Sequence, residues 1–248
     1  MQIEVANFKI PIIEHGNGWL ALNKPADLSV HNEPGHDLCS LLNSYFNDDD
    51  SLSCRIEFDP SFGFHAVHRL DRTTSGLILM ACKKAVLSFL GIQFQERAVR
   101  KTYHAILHGH LEVTAGSDDG WGVWDWPLSR TASGRINPQG NEKRYPCRTR
   151  YKILSHSSHY TLVEMEPSTG RRHQIRRHAS LAKYPVIGDK RYSTSRSVKY
   201  LKQRVRFHRL GLHAFALELI VPDENSPRTI TTGTLPSDMQ TLFEKDAE

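Results

Sequence analysis

Apolar positions along this chain come in short runs of two periods, strand-like and helix-like, with no regular alternation between them. Residues 19–23 and 28–31 read as short strands around a turn at Lys24-Pro25-Ala26-Asp27. Asp37 is placed to cap a helix over 38–46, whose Leu38, Leu41, Leu42 and Tyr45 share one face. Residues 47–53 read as an acidic, exposed connection, and 77–82 as a buried strand. A helix over 83–96 follows, with Val86, Leu90 and Phe94 at spacing four. Residues 101–108 read as a strand presenting Tyr103, and 116–126 and 131–143 as loops. Residues 148–154 and 160–166 alternate like adjacent antiparallel strands. The pattern then predicts a helix over 171–182, a strand over 213–221, a turn at 222–227 into 228–232, and a closing helix over 236–245. Strands and helices mix without a strand–helix–strand beat, so the expected fold class is α+β.

Charge changes the picture more than composition does. With 248 residues, 39% of them hydrophobic and 24% charged, the chain has the make-up of an ordinary globular protein. No apolar run approaches the roughly 20 residues of a membrane-spanning helix, and the first residues do not read as a signal peptide. Four scattered cysteines read as reduced thiols, so a cytoplasmic location is expected. Residues 143–209 hold 18 Lys+Arg against 3 Asp+Glu, a net of +15, whereas the whole chain is only +5. Such an uneven distribution points to a polyanion-binding face, with nucleic acid as the partner.

Two clusters could carry chemistry. In His68-Arg69-Leu70-Asp71-Arg72-Thr73-Thr74-Ser75-Gly76-Leu77, one carboxylate sits between two arginines in a turn leading into an apolar strand. Flanking cations keep a carboxylate ionised, and loops on rigid strands are where working residues sit. On its own, however, an Asp in such a turn is far more often a structural Asx-turn residue than a reacting one. In Thr169-Gly170-Arg171-Arg172-His173-Gln174-Ile175-Arg176-Arg177-His178, Thr169 is a candidate N-cap and Ile175, Ala179 and Ala182 form the buried stripe. Arg172 and Arg176 share another face, with His173 and Arg177 beside them. Spacing alone leaves open a basic surface helix or a site for phosphate or a buried carboxylate. A metal site is not expected. His104 and His108 would lie about 13 Å apart on a strand, no carboxylate cluster accompanies His65 and His68, and no paired cysteines or Gly-rich phosphate loop occur.

Four blocks together resemble the RluA-type pseudouridine synthases, which isomerise uridine in large-subunit ribosomal RNA and some tRNAs. They are Lys24-Pro25-Ala26-Asp27-Leu28-Ser29-Val30-His31; the 68–77 run; Lys101-Thr102-Tyr103-His104-Ala105; and the 169–178 run with Pro185-Val186-Ile187-Gly188-Asp189 beyond it. Leu212-His213-Ala214 also fits, and the likeness spans residues 15–240. Asp27 stands where the family usually has Gly, and Ala182-Lys183-Tyr184 precedes Pro185 where a Gly is common. No N-terminal RNA-binding appendage of the S4 type is present in the sequence. The doubled arginine after Ile175 leans toward the tRNA-acting, single-domain branch.

The resemblance implies a pseudouridine synthase fold: two sheet-and-helix lobes, a mixed and mostly antiparallel sheet, and a central active cleft, with residues 1–248 as one catalytic domain. It implies a monomer that acts on tRNA or rRNA with no cofactor, no metal and no membrane. By position, Asp71 is the catalytic carboxylate, engaging either the ribose or the base. Tyr103 stacks on the uracil and helps remove the C5 proton, and Arg176 pairs with Asp71. Ile175 walls the uracil pocket, and Arg69 supports base extrusion. Lys101, Arg172, His173 and Arg177 complete the expected RNA contacts. The main rival is a non-catalytic RNA-binding or RNA-folding protein on the same fold. A glycosidase is disfavoured because no second carboxylate accompanies Asp71 in the matched blocks.

Overall fold

The computed structural model describes residues 1–48, 50–112, 120–131 and 134–247. The chain forms two units, Met1–Arg100 with Ala214–Gly233, and Lys101–His213 with Thr234–Glu248. In the first lie β1 (Gln2–Val5), β2 (Phe8–Gly16), β3 (Trp19–Lys24), α1 (Leu38–Asp48), α2 (Asp50–Arg55), β4 (His65–Ala66), β5 (Ser75–Ala81) and α3 (Lys84–Gln95). β6 (Arg100–His108) leads into the second unit, with β7 (Gly122–Trp124), β8 (Leu128–Ser129), β9 (Arg144–Tyr145), β10 (Thr149–His156), β11 (Tyr160–Pro167), α4 (Gln174–Leu181) and α5 (Ser195–Tyr200). A π-helical turn (Leu201–Val205) follows, and β12 (Leu212–Leu219) leads back to the first unit and β13 (Arg228–Thr231). α6 (Ser237–Ala247) belongs to the second.

In the first unit β1, β2, β3 and β5 pair antiparallel in that order, with β12 beyond β5 and β13 antiparallel on β12. The apolar run after Gly76 becomes the central strand: every residue of β5 is buried. Leu77 and Leu79 pack with Leu90 of α3 and with Leu217 and Leu219 of β12. α1 starts where Asp37 predicts, its Oδ1 accepting from the Ser40 N–H at 2.9 Å and its Oδ2 from the Glu33 N–H. In the second unit β6, β11, β10 and β7 form an antiparallel run in that order, and β8 and β9 make a separate ribbon. Alternate residues Ala105 and Leu107 of β6 face a core with Val163, Met165, Ile175 and Ala179.

Several expectations need correction. Residues 28–31 are not a strand, because their carbonyls serve other partners: Leu28 accepts from Lys24 Nζ, and Ser29 and Val30 accept from the first N–H groups of α1. The 47–53 connection contains the start of α2. Residues 122–124 of the expected 116–126 loop are β7, whereas 116–119 lie outside the described residues. β1 and β2 pair at Ile3↔Ile10 and went unread. Among the described residues no helix is long and apolar enough to cross a membrane, and no group of three or more His, Cys, Asp or Glu could hold a metal ion.

Candidate active site

The loop that carries Asp71 is held from beneath by a buried lysine. Lys24, 0% exposed at the end of β3, donates to the carbonyls of Pro25 (2.8 Å), Leu28 (2.8 Å) and Arg72 (3.1 Å). An ammonium has three donors, and burying it is tolerable when they are used. The Arg72 carbonyl immediately follows Asp71, so Lys24 ties the 24–28 turn to the carboxylate's own loop. The Thr74 N–H donates to the Asp71 carbonyl at 3.0 Å, closing a turn that runs into β5. Asp71 is half-buried and Arg69 exposed.

Two backbone positions explain the departures and constancies of this loop. Gly76 has φ +114, and a Cβ there would lie 2.2 Å from the Ala214 carbonyl oxygen, so only glycine fits. Asp27, where the family usually has Gly, takes φ 66. Asp tolerates this left-handed region better than most residues, and the turn is kept. Arg72 is used differently from expectation. Its Nε donates to the Asp27 carbonyl at 3.0 Å and its Nη1 to Glu33 at 2.8 Å, fastening the same turn.

In the second unit, Tyr103 on β6 lies opposite Met165 of β11 and packs against the core that contains Ile175. Tyr103 thus packs on the core to which Ile175 belongs. Lys101 is half-buried two residues earlier on the strand.

α4 begins at Gln174, not Arg171, and Thr169 does not cap it. The Thr169 hydroxyl donates to Gln174 Oε1 (2.6 Å), which also accepts from the Arg171 N–H. The Gln174 amide donates to the Arg148 carbonyl and to Thr149 Oγ1, fixing the helix start to β10. His173 takes φ 56 before the helix, and its Nδ1 lies 3.1 Å from the Tyr192 hydroxyl. Arg172 precedes the helix and is exposed.

Arg176 is 7% exposed and binds Asp189, itself 1% exposed, through Nε to Oδ2 (2.7 Å) and Nη2 to Oδ1 (2.9 Å). Asp189 Oδ1 also accepts from the N–H groups of Arg191 and Tyr192. The Tyr192 ring lies 5.3 Å from the Arg176 guanidinium, and burial pushes the Tyr192 phenol up from its usual pKa. This two-toothed grip takes one edge of the guanidinium. Asp189 therefore holds the Arg176 guanidinium in place. Sequence reasoning left Asp189 without a role, although it ends the Gly188-Asp189 block. Gly188 has φ +69, and a Cβ would lie 1.9 Å from the Arg209 carbonyl oxygen, so this turn aims Asp189 only with glycine before it.

Arg177 is a correction to the expected RNA contacts. It is 0% exposed, and protein acceptors take all its donors: the carbonyls of Ser129, Pro138, Gln139 and Arg172, and Ser129 Oγ. It binds the 129–140 segment to the start of α4, so the 134–140 part of the expected polar loop is anchored.

The family model described as RNA pseudouridylate synthase matches residues 18–181. The chain is 33% identical over 240 residues to tRNA pseudouridine synthase C of Salmonella typhimurium, covering 90% of this chain and 85% of that one. It is 33% identical over 223 residues to ribosomal large subunit pseudouridine synthase C of Vibrio cholerae, covering 88% of this chain but only 64% of the relative. The solved structure of human RNA Pseudouridylate Synthase Domain Containing 1 superposes with a TM-score of 0.71 at 25% identity, covering 94% of this chain and 87% of that one. With the 68–77, 101–105 and 169–189 blocks folded as described, the chain belongs to the RNA pseudouridylate synthase family.

Proposed function

We propose that this protein is an isomerase converting uridine to pseudouridine in tRNA or ribosomal RNA, the substrates named for its relatives. The observation that carries the reading is the 68–77 run: a half-exposed carboxylate on a turn fixed by Lys24 and by the buried strand β5. In the reaction the N1–C1′ bond breaks, the uracil turns, and C5 bonds to C1′. The C5 proton leaves and N1 takes one up. No external reactant enters, so the protein has to supply positioning and one reacting carboxylate.

Asp71 is the catalytic residue of this proposal. Arg176, braced by Asp189, pairs with it and aims it. Tyr103 stacks on the detached uracil and assists loss of the C5 proton, and Ile175 closes the apolar wall beside it. Arg69 fills the place the base leaves, which offsets part of the few kcal/mol that unstacking costs. Lys101, Arg172 and His173 contact the RNA, working as a monomer in the cytoplasm. The reading is tested by mapping pseudouridines in total RNA from cells that have the chain, lack it, or carry Asp71→Asn. It predicts a site present only with the unsubstituted chain. If the same sites appear in all three, the protein binds RNA without modifying it.

A further inference from the structure

The β8–β9 ribbon carries a cluster of cations that the active-site residues leave unexplained. Around the Tyr145 ring stand Arg130 at 5.1 Å, Arg171 at 5.0 Å and Lys143 at 5.8 Å from the centroid. Arg130 follows β8, Lys143 precedes β9, and Arg171 lies in the turn into α4. None of the three makes an ion pair within the described residues, and the Arg171 Nε is buried without a hydrogen-bond partner. One ring attracts each cation weakly. Three like charges within about 10 Å of one another, the screening length at 0.1 M salt, repel each other. An anion among them would offset that repulsion.

Its support is rigid. Leu128 pairs with Tyr145 across the ribbon, and Arg177's hydrogen bonds to Ser129, Pro138 and Gln139 lock β8 and the residues before β9 to α4. Arg144, beside Tyr145, donates to the Gly140 carbonyl and to Gln139, holding the same loop. α4 in turn carries Ile175 and Arg176 in its first turn. The cluster is therefore fixed relative to two residues of the proposed active site.

We propose that Tyr145, with Arg130, Lys143 and Arg171, is a binding platform for the RNA strand flanking the target uridine. On binding, the cations leave the ring for successive phosphates, and the Tyr145 face they uncover takes an unpaired base. The inference rests on RNA being the substrate. It assigns Arg177 the part of a positioning residue for this platform, which accounts for an arginine that never reaches solvent. Strand tracking by a basic surface with an interleaved aromatic is sequence-tolerant, as stacking needs only a base face.

The test uses fluorescence anisotropy with a labelled single-stranded oligouridylate, titrated at several salt concentrations. Each phosphate contact to a single strand contributes about 0.7 to the slope of log affinity against log salt. The combined variant Arg130→Gln, Lys143→Gln, Arg171→Gln is expected to flatten that slope by about 2. Tyr145→Leu is expected to weaken binding about tenfold with the slope unchanged. If the triple variant does not fold, judged by its melting curve, the exposed Arg130→Gln alone carries the test with a change of about 0.7. A slope equal to wild type in the folded variants overturns the platform. Tritium release from cellular RNA labelled at uracil C5 separates the two readings. Wild-type turnover with an unchanged variant slope sinks the platform alone, and no turnover with a flattened variant slope sinks the isomerase alone.

Discussion

Asp189→Asn perturbs the proposed site without touching any group that meets substrate. The carboxylate accepts two hydrogen bonds from Arg176 and two from backbone N–H groups, at 2.7 to 3.1 Å and 1% exposure. The amide keeps the volume but loses the charge. With Oδ1 still serving the backbone, its NH2 faces the Arg176 Nε–H, donor against donor. Breaking a buried pair from one side leaves an uncompensated charge, which costs about 3–5 kcal/mol. Urea denaturation should show that loss as a lower midpoint at unchanged slope. Turnover should fall further than stability explains at temperatures where the variant is folded, because Arg176 is no longer aimed. The double variant Arg176→Met, Asp189→Leu removes both charges. It should recover much of the stability and none of the activity. A loss under about 1 kcal/mol in Asp189→Asn, together with normal turnover, would refute the reasoning.

Two further outcomes follow from the same geometry. At the end of α4 the Tyr184 N–H donates to the Ala179 carbonyl and the Lys183 N–H to Ser180, a Schellman arrangement with Lys183 at φ 72 where glycine is at ease. Lys183→Gly should therefore raise stability by about 1 kcal/mol in thermal or urea unfolding, and a drop would contradict this. His213 is 0% exposed, and burial, reinforced by Arg209 and His104, lowers its pKa to about 3. Between its ordinary value and that one, only the unfolded chain takes up the proton, so stability falls on acidification. From about pH 7.5 to 5.5 this group accounts for roughly 1.4 kcal/mol. His104, His108 and His178, also lowered by burial, add to the same trend. His213→Gln should lose its own share of the pH dependence, and an unchanged pH slope would count against a neutral buried imidazole.

The sequence disclosed what depends on local pattern. The apolar run after Gly76 could only be a buried strand, Asp37 capped α1, and the alternation in 148–166 gave β10 and β11. Motifs of fixed spacing supplied the residues of the proposed site. The sequence hid what depends on distant partners. Lys24 and Arg177 are charged, yet both are buried, because partners far along the chain take part of their hydrogen bonding: the Arg72 carbonyl for Lys24, and Ser129, Pro138 and Gln139 for Arg177. Arg176 read as a basic helix position, and its brace at Asp189 comes from a loop thirteen residues on. Thr169 looked like a cap, but Gln174 is a better-placed acceptor once β10 holds its amide. Lys183 and Asp27 show the converse: each departs from glycine in sequence and keeps glycine's backbone in the fold.

The central claim is that Asp71 reacts with a uridine in RNA. Its most direct test is tritium release from RNA labelled at uracil C5, comparing the wild-type protein with Asp71→Asn. The account predicts release by the wild type, none by the variant, and RNA affinities within a few fold of each other. Equal release by both, or a variant that loses turnover only because it no longer binds RNA, would contradict it.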